Sequence, residues 1–190
     1  MEQGAASSVT RLAFAAQRGD RAALALMVER TQADIWRFCA HLGGRDHADD
    51  LTQETYSRAI ASLHRFRGES DVRSWLLTIA RRVCADQVRA EIRRRNLLGR
   101  LRPVPETHEP SNSVELWGVI GSLHGERREA FVLTQILGLS YEEAAQVCAC
   151  PIGTIRSRVA RARAELISQM DAAQAQSEAH SEARSAEPSG

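Results

Sequence analysis

Between Leu139 and Leu166 the chain runs LSYEEAAQVCACPIGTIRSRVARARAEL, and no other segment leaves so few folds open. Ser140 and Glu143 have the S-x-x-E spacing of a capping box, so a short helix is predicted to start at Tyr141. Pro151 suits the first turn of a second helix, where its missing N–H costs nothing. Two short helices joined through Cys-Ala-Cys outline a helix-turn-helix. On the second helix Ile152, Ile155, Val159, Ala162 and Leu166 recur at steps of three and four and form the side to be buried. Gly153, Arg156, Ser157, Ala160, Arg161 and Ala164 fall opposite. The small residues there permit close approach to a major groove, with Arg156, Ser157 and Arg161 reaching base edges. Arg158 and Arg163 flank that face and suit phosphate. The plainer alternative, a solvated basic helix on a protein-binding bundle, leaves the agreement of cap, turn and small-residue face unaccounted for.

The rest of the chain is expected to be all-α as well, because apolar residues recur at helical steps and no alternating β-branched runs occur. The segment GRLRPVPETHEPSNS, 99–113, holds three prolines and has the composition of a linker. It divides two small helical domains, 9–98 and 114–170. Residues 1–8 and 171–190 carry little that could be buried and are expected to form a flexible N-terminus and a disordered tail. In the first domain helices are expected over about 9–18, from an Asp20 cap to about Leu42, from about Asp46 with Leu51, Ile60 and Leu63 facing the core, and from a Ser70 or Asp71 cap to about Arg95. The second domain offers helices near 114–122, 126–137, 141–148 and 151–168.

Charge is distributed unevenly. All 25 basic side chains are arginine, set against 24 acidic ones, for a net charge of +1. Nine arginines lie between Arg73 and Arg102 against only Asp86 and Glu91, whereas 46–54 holds four acids and no arginine. On the helix from Arg73, the residues Trp75, Leu76, Ile79, Val83 and Val88 supply an apolar side. Arg82, Arg89 and Arg93 form one basic line, widened by Arg81, Arg94 and Arg95, which can track a phosphate backbone. Asp46, Asp49 and Asp50 near a helix start are explained by the macrodipole alone, yet the polar face that continues through Gln53 and Glu54 can also dock on a basic protein surface.

Nothing points to catalysis. Cys148 and Cys150 lack the second cysteine pair or nearby histidine of a zinc site, and the six histidines show no ligand spacing. No glycine-rich phosphate loop or nucleophile–base pair occurs. No metal, cofactor or enzymatic activity is therefore expected. The chain has no apolar run of the roughly 18 to 20 residues that spans a bilayer and no basic-then-apolar leader, so a cytoplasmic protein without membrane insertion is expected.

Three motifs, ADDLTQETY (48–56), FRGES with WLLTIARRVCADQVR (66–89), and LSYEEAA with GTIRSRVARAR (139–163), resemble the extracytoplasmic-function sigma factors of bacterial RNA polymerase. This is the compact type with only sigma regions 2 and 4, and the wording is most similar to the actinobacterial sigma-C-like branch. The resemblance covers roughly 10–168. It implies that Asp49, Asp50, Leu51, Gln53 and Glu54 dock on the largest subunit of core RNA polymerase. It also implies that the loop holding Arg67, Glu69, Ser70 and Asp71 captures a flipped base of the −10 promoter element, with Arg73, Trp75, Arg82, Arg89 and Arg93 holding the separated strand. The second domain, through Arg156, Ser157, Arg158, Arg161 and Arg163, then reads the −35 element as duplex. The implied partners are promoter DNA, the largest and second-largest polymerase subunits, and an anti-sigma factor. Ala149 departs from the family, which usually has glycine at the helix-turn-helix bend; a positive φ there costs alanine about 1 kcal/mol. A stand-alone helix-turn-helix regulator, with 1–98 sensing a ligand or dimerising, is the alternative, and it leaves the FRGES loop and the arginine line without a purpose.

Overall fold

A computed structural model describes residues 3–97 and 112–185. Among the described residues eight α-helices follow one another: α1 (Gln3–Gln17), α2 (Arg21–Gly43), α3 (Ala48–Ser62), α4 (Val72–Leu97), α5 (Asn112–Ser122), α6 (Gly125–Phe131), α7 (Tyr141–Cys148) and α8 (Ile152–Ser185). No strand occurs among the described residues. Most of the expected linker, 99–111, lies outside them.

The helix starts follow from side chains that accept the first free amides. Asp20 caps α2 by accepting from Ala23 N at 3.0 Å. Asp71 does the same for α4, accepting from Arg73 N at 2.9 Å. Ser140 and Glu143 form the complete capping box of α7. Pro151 stands just before α8, where its carbonyl accepts from Thr154 N at 2.9 Å. In place of one helix over 126–137, α6 passes at Val132 into a single π turn ending at Ile136, closed by Leu137 N donating to Val132 O.

The first four helices pack around Met27, Ile35, Phe38, Leu76 and Leu77, all fully buried. Each such side chain contributes about 1.5–3 kcal/mol by leaving water. The second group closes on Leu133, Val147, Ile155 and Val159. Ile152 and Leu166, at the two ends of the predicted α8 stripe, are half-buried. Two apolar assignments fail: Ile60 is 47% exposed and Val88 42%, because the helices that could have covered them lie on other faces. The segment 171–185, read from composition as a disordered tail, continues α8 as helix. Its alanine, glutamine and glutamate residues extend an already nucleated helix at little local cost. α1 likewise begins at Gln3, inside the stretch expected to be unanchored.

The two groups of helices do not stand apart. α4 lies on α7 and α2 on α6, and one buried apolar cluster runs through both. Polar contacts reinforce the junction. Arg81 of α4 pairs with Glu129 of α6, which is 7% exposed. Arg73 donates to the carbonyl of Leu137, and Arg128 to that of His41 at 3.4 Å. The His41 ring stacks on Trp117 with centroids 3.8 Å apart and planes 13° from parallel.

Candidate nucleic-acid interface

The FRGES loop leaves α3 through a 3-10 turn, Leu63–Arg65, and enters α4 at Val72. Phe66 is buried between Phe14, at 5.5 Å, and Trp75, at 5.2 Å between ring centroids. Trp75 is thus half-buried in an aromatic cluster that supports the loop. Arg67 and Glu69 point outward, with 83% and 81% of their side chains exposed. Asp71 is fully engaged: one carboxylate oxygen caps α4 and the other accepts from the Thr10 hydroxyl at 2.8 Å. Ser70 is half-buried beside it.

Along α4 the arginines divide by partner. Arg82 and Arg93 are exposed and make no hydrogen bond or ion pair among the described residues. Arg89 is exposed but donates to Asp86 at 2.6 Å. Asp86 also holds Arg58 at 3.0 Å, and hydrogen bonds first from Arg58 and then from Arg89 keep its carboxyl below the usual range. Arg73 is held by Asp34 at 2.7 Å and by the Leu137 carbonyl, and Arg81 by Glu129. Among the described side chains of α4, two arginines are unpartnered, two are paired at the surface, Arg89 with Asp86 and Arg94 with Glu91 at 3.8 Å, and two, Arg73 and Arg81, are committed to the junction with the second domain.

On α8 a similar division appears. Arg156 and Arg161 are exposed without partners among the described residues. Ser157 is exposed between them, its hydroxyl donating back to Thr154 O at 2.9 Å. Arg158 is only 18% exposed, donating to Glu126 at 2.6 Å and lying 3.7 Å from Cys150 Sγ. Arg163 donates to Gln135 at 2.7 Å. The flanking arginines thus fasten α8 to α6 and the π turn, and the outward face keeps the two that can reach a base edge or a phosphate.

The acidic segment forms a third surface. Asp50 and Gln53 are exposed and unpartnered among the described residues. Asp49 accepts from Trp36 Nε1 at 2.8 Å, and Glu54 from Arg58 at 2.7 Å. Leu51 is not on this face: it is 6% exposed and packs beside Gly43 and Cys84. Its place in the expected docking set is corrected to the core. Across from α3, Gln32 and Trp36 of α2 join Asp49, Gln53, Tyr56 and Ile60 in lining a shallow groove. Sequence reading missed these α2 residues, since their only signal, an indole beside polar neighbours on a helix, is also what a core edge looks like.

The cysteines have structural surroundings. Cys39 and Cys84 are buried together between α2 and α4, and burial pushes the Cys148 thiol up to about 12. No group of three or more His, Cys, Asp or Glu able to hold a metal occurs among the described residues. No helix among them is long and apolar enough to cross a membrane.

Known proteins carry the same features. The family model for sigma-70 region 2 matches residues 27–94, and that for sigma-70 region 4 matches 113–166. The ECF RNA polymerase sigma factor SigC of Mycobacterium tuberculosis is 47% identical over 166 residues, 84% of this chain and 90% of that one. Among solved structures, CnrH in complex with the cytosolic domain of CnrY superposes with a TM-score of 0.69 at 28% identity, over 86% of this chain and 98% of that one. The sigma factor RpoE in complex with the anti-sigma factor NepR from Bartonella quintana gives 0.68 at 29%, over 78% and 96%. The two regions in this order, at this identity and coverage, place the chain in the extracytoplasmic-function sigma factors of the sigma-70 family.

Proposed function

We infer that this chain is a transcription initiation factor that binds core RNA polymerase and directs it to promoters. The observation that carries this reading is the coexistence, on one chain of sigma-family sequence, of two separate outward sets of unpartnered arginines and one exposed acidic face. Arg156, Ser157 and Arg161 of α8 read the −35 element in the major groove, where a planar guanidinium fits guanine in bidentate fashion. Arg82 and Arg93, with Arg89 released from Asp86, follow the backbone of the separated −10 strand, and Arg67 to Ser70 capture its flipped base. Asp50, Gln53 and the Trp36–Asp49 pair meet a basic surface of the largest polymerase subunit. Arg158, Arg163 and Asp71 are positioning residues in this reading rather than DNA contacts.

The chain itself performs no covalent chemistry; nucleotide addition stays with the polymerase, in the cytoplasm where that enzyme works. CnrH and RpoE were solved with the cytosolic domain of CnrY and with the anti-sigma factor NepR. A protein of that class is the proposed regulator here.

Run-off transcription with purified core polymerase on a pool of genomic promoter fragments tests the reading. Discrete start sites that depend on the chain are expected. Absence of transcripts, together with no co-migration with core on a sizing column, would overturn it in favour of a stand-alone regulator. Asp50→Arg is expected to abolish core binding while the circular dichroism spectrum and melting temperature stay as in the wild type. Unchanged core binding would reject the docking assignment.

A further inference from the structure

The region 2 family match begins at residue 27, so α1 lies outside it, yet α1 touches the FRGES loop at both ends and in the middle. At the loop entrance, the Gln17 side-chain amide donates to two carbonyls at once, Leu63 O at 2.6 Å and Phe66 O at 2.7 Å. At the exit, the Thr10 hydroxyl donates to Asp71 Oδ2 at 2.8 Å and accepts from Val72 N at 3.1 Å. Between them Gly68, at φ +72, lies so close to Phe14 that a Cβ at that position would stand 2.6 Å from the ring. Phe66 packs on the same ring. The loop is therefore tied through the Leu63 and Phe66 carbonyls, the Asp71 carboxylate and the Val72 amide, with Gly68 packed against the Phe14 ring, all to one helix, and only the Arg67 and Glu69 side chains project fully.

A loop with few backbone ties orders itself when it binds and pays that entropy for every ligand alike. Base discrimination needs more, because donors and acceptors have to stand within about half an ångström of the productive position before the base arrives. Charge alone attracts the strand whether or not the loop is held.

We propose that Thr10, Phe14 and Gln17 are positioning residues for −10 recognition: they hold the 66–71 loop in the shape that distinguishes the captured base, without touching DNA themselves. This rests on the reading of that loop as the base-capturing element. It assigns α1 a role in promoter specificity beside its role in closing the core, in which Val9, Leu12, Ala13, Phe14 and Ala16 pack; the substitutions that test it fall on Thr10 and Gln17, which are not among those apolar contacts.

The test uses holoenzyme assembled from core polymerase and the full chain, on a promoter selected by run-off transcription, with each −10 and −35 base replaced in turn. Thr10→Val keeps shape and loses both hydrogen bonds; Thr10→Ser restores them; Gln17→Leu removes the amide clamp at similar volume. In Thr10→Val and Gln17→Leu the ratio of open-complex formation between the best and worst base at one −10 position is expected to fall tenfold or more. Thr10→Ser should recover it. Preferences at −35 and the salt dependence of binding should stay as in the wild type, at a temperature where all variants are folded. Wild-type ratios in both variants would overturn the proposal, and so would an equal loss at every position including −35, which is what a merely weakened fold produces. A wild-type holoenzyme without preference at any −10 base would remove the base-capture reading itself, and the proposal with it.

Discussion

Ala149 stands at φ 51 and ψ 47, the one positive-φ residue other than glycine among those described. It ends α7 in a Schellman-type closure, with Cys150 N donating to Ala145 O at 3.1 Å and Ala149 N to Gln146 O at 3.2 Å. A Cβ in this region meets the following carbonyl and costs about 1–2 kcal/mol, against the roughly 0.5–1 kcal/mol of extra freedom that glycine loses on folding. Ala149→Gly is therefore expected to stabilise the protein by up to about 1 kcal/mol. That corresponds to a melting temperature about 2–4 °C higher for a chain of this size. Calorimetry checks it, and an unchanged or lower melting temperature would show that the bend stores no strain. The resemblance to the family marked this site, where glycine is usual, and the structure supplies the positive φ; helix caps and turns of this kind are decided over five or six residues and need no distant partner.

At the scale of the element, α8 does two jobs with arginines that sequence alone could not apportion. The helical period separates Arg156 and Arg161 from Arg158 and Arg163 by face, but it cannot say that Glu126 and Gln135, from another helix and the π turn, consume the second pair. Arg161→Ala is expected to weaken −35 discrimination by about 1–3 kcal/mol at one base pair, whereas Arg158→Ala should lower thermal stability and leave the base preference intact. Binding to a set of single-base −35 variants, alongside melting curves, separates the two. If Arg161→Ala weakens all sequences equally, that arginine holds phosphate instead. The same logic explains α4. Its arginines are legible as a line, but Arg81 leaves that line for Glu129, and Arg73 at the start of the helix is held by Asp34 and the Leu137 carbonyl, groups reached only after the chain has folded back.

The whole molecule closes the second domain onto α2 and α4, and His41 is a titratable group buried at that junction. Burial first and the Arg128 guanidinium second lower its pKa from 6.5 to about 4, while Arg45, 5.9 Å from the Trp117 ring centroid, adds another cation nearby. Between these two values the unfolded chain binds a proton that the folded chain does not, so stability falls as the pH drops from about 6.5 towards 4. Above 6.5 both states are neutral and the effect is absent. Denaturant midpoints at pH 7 and 4.5 should therefore differ by more in the wild type than in His41→Phe, where the ring stack is kept and the titration is lost. Equal differences would reject the assignment.

The sequence by itself determined the all-α class, the caps at Asp20 and Ser140, the helix-turn-helix and the two arginine-rich faces, all of them properties of neighbouring residues or of helical period. It did not determine which face each helix would lose to a neighbour. Leu51 went to the core and Ile60 and Val88 to solvent, because period marks an apolar side but not the element that will cover it. Nor could it bring Thr10 to Asp71, Gln17 to Phe66 or Arg81 to Glu129, which lie 61, 49 and 48 positions apart. Those pairings depend on how the helices cross, and crossing is fixed by packing across the whole core, which only the tertiary structure decides.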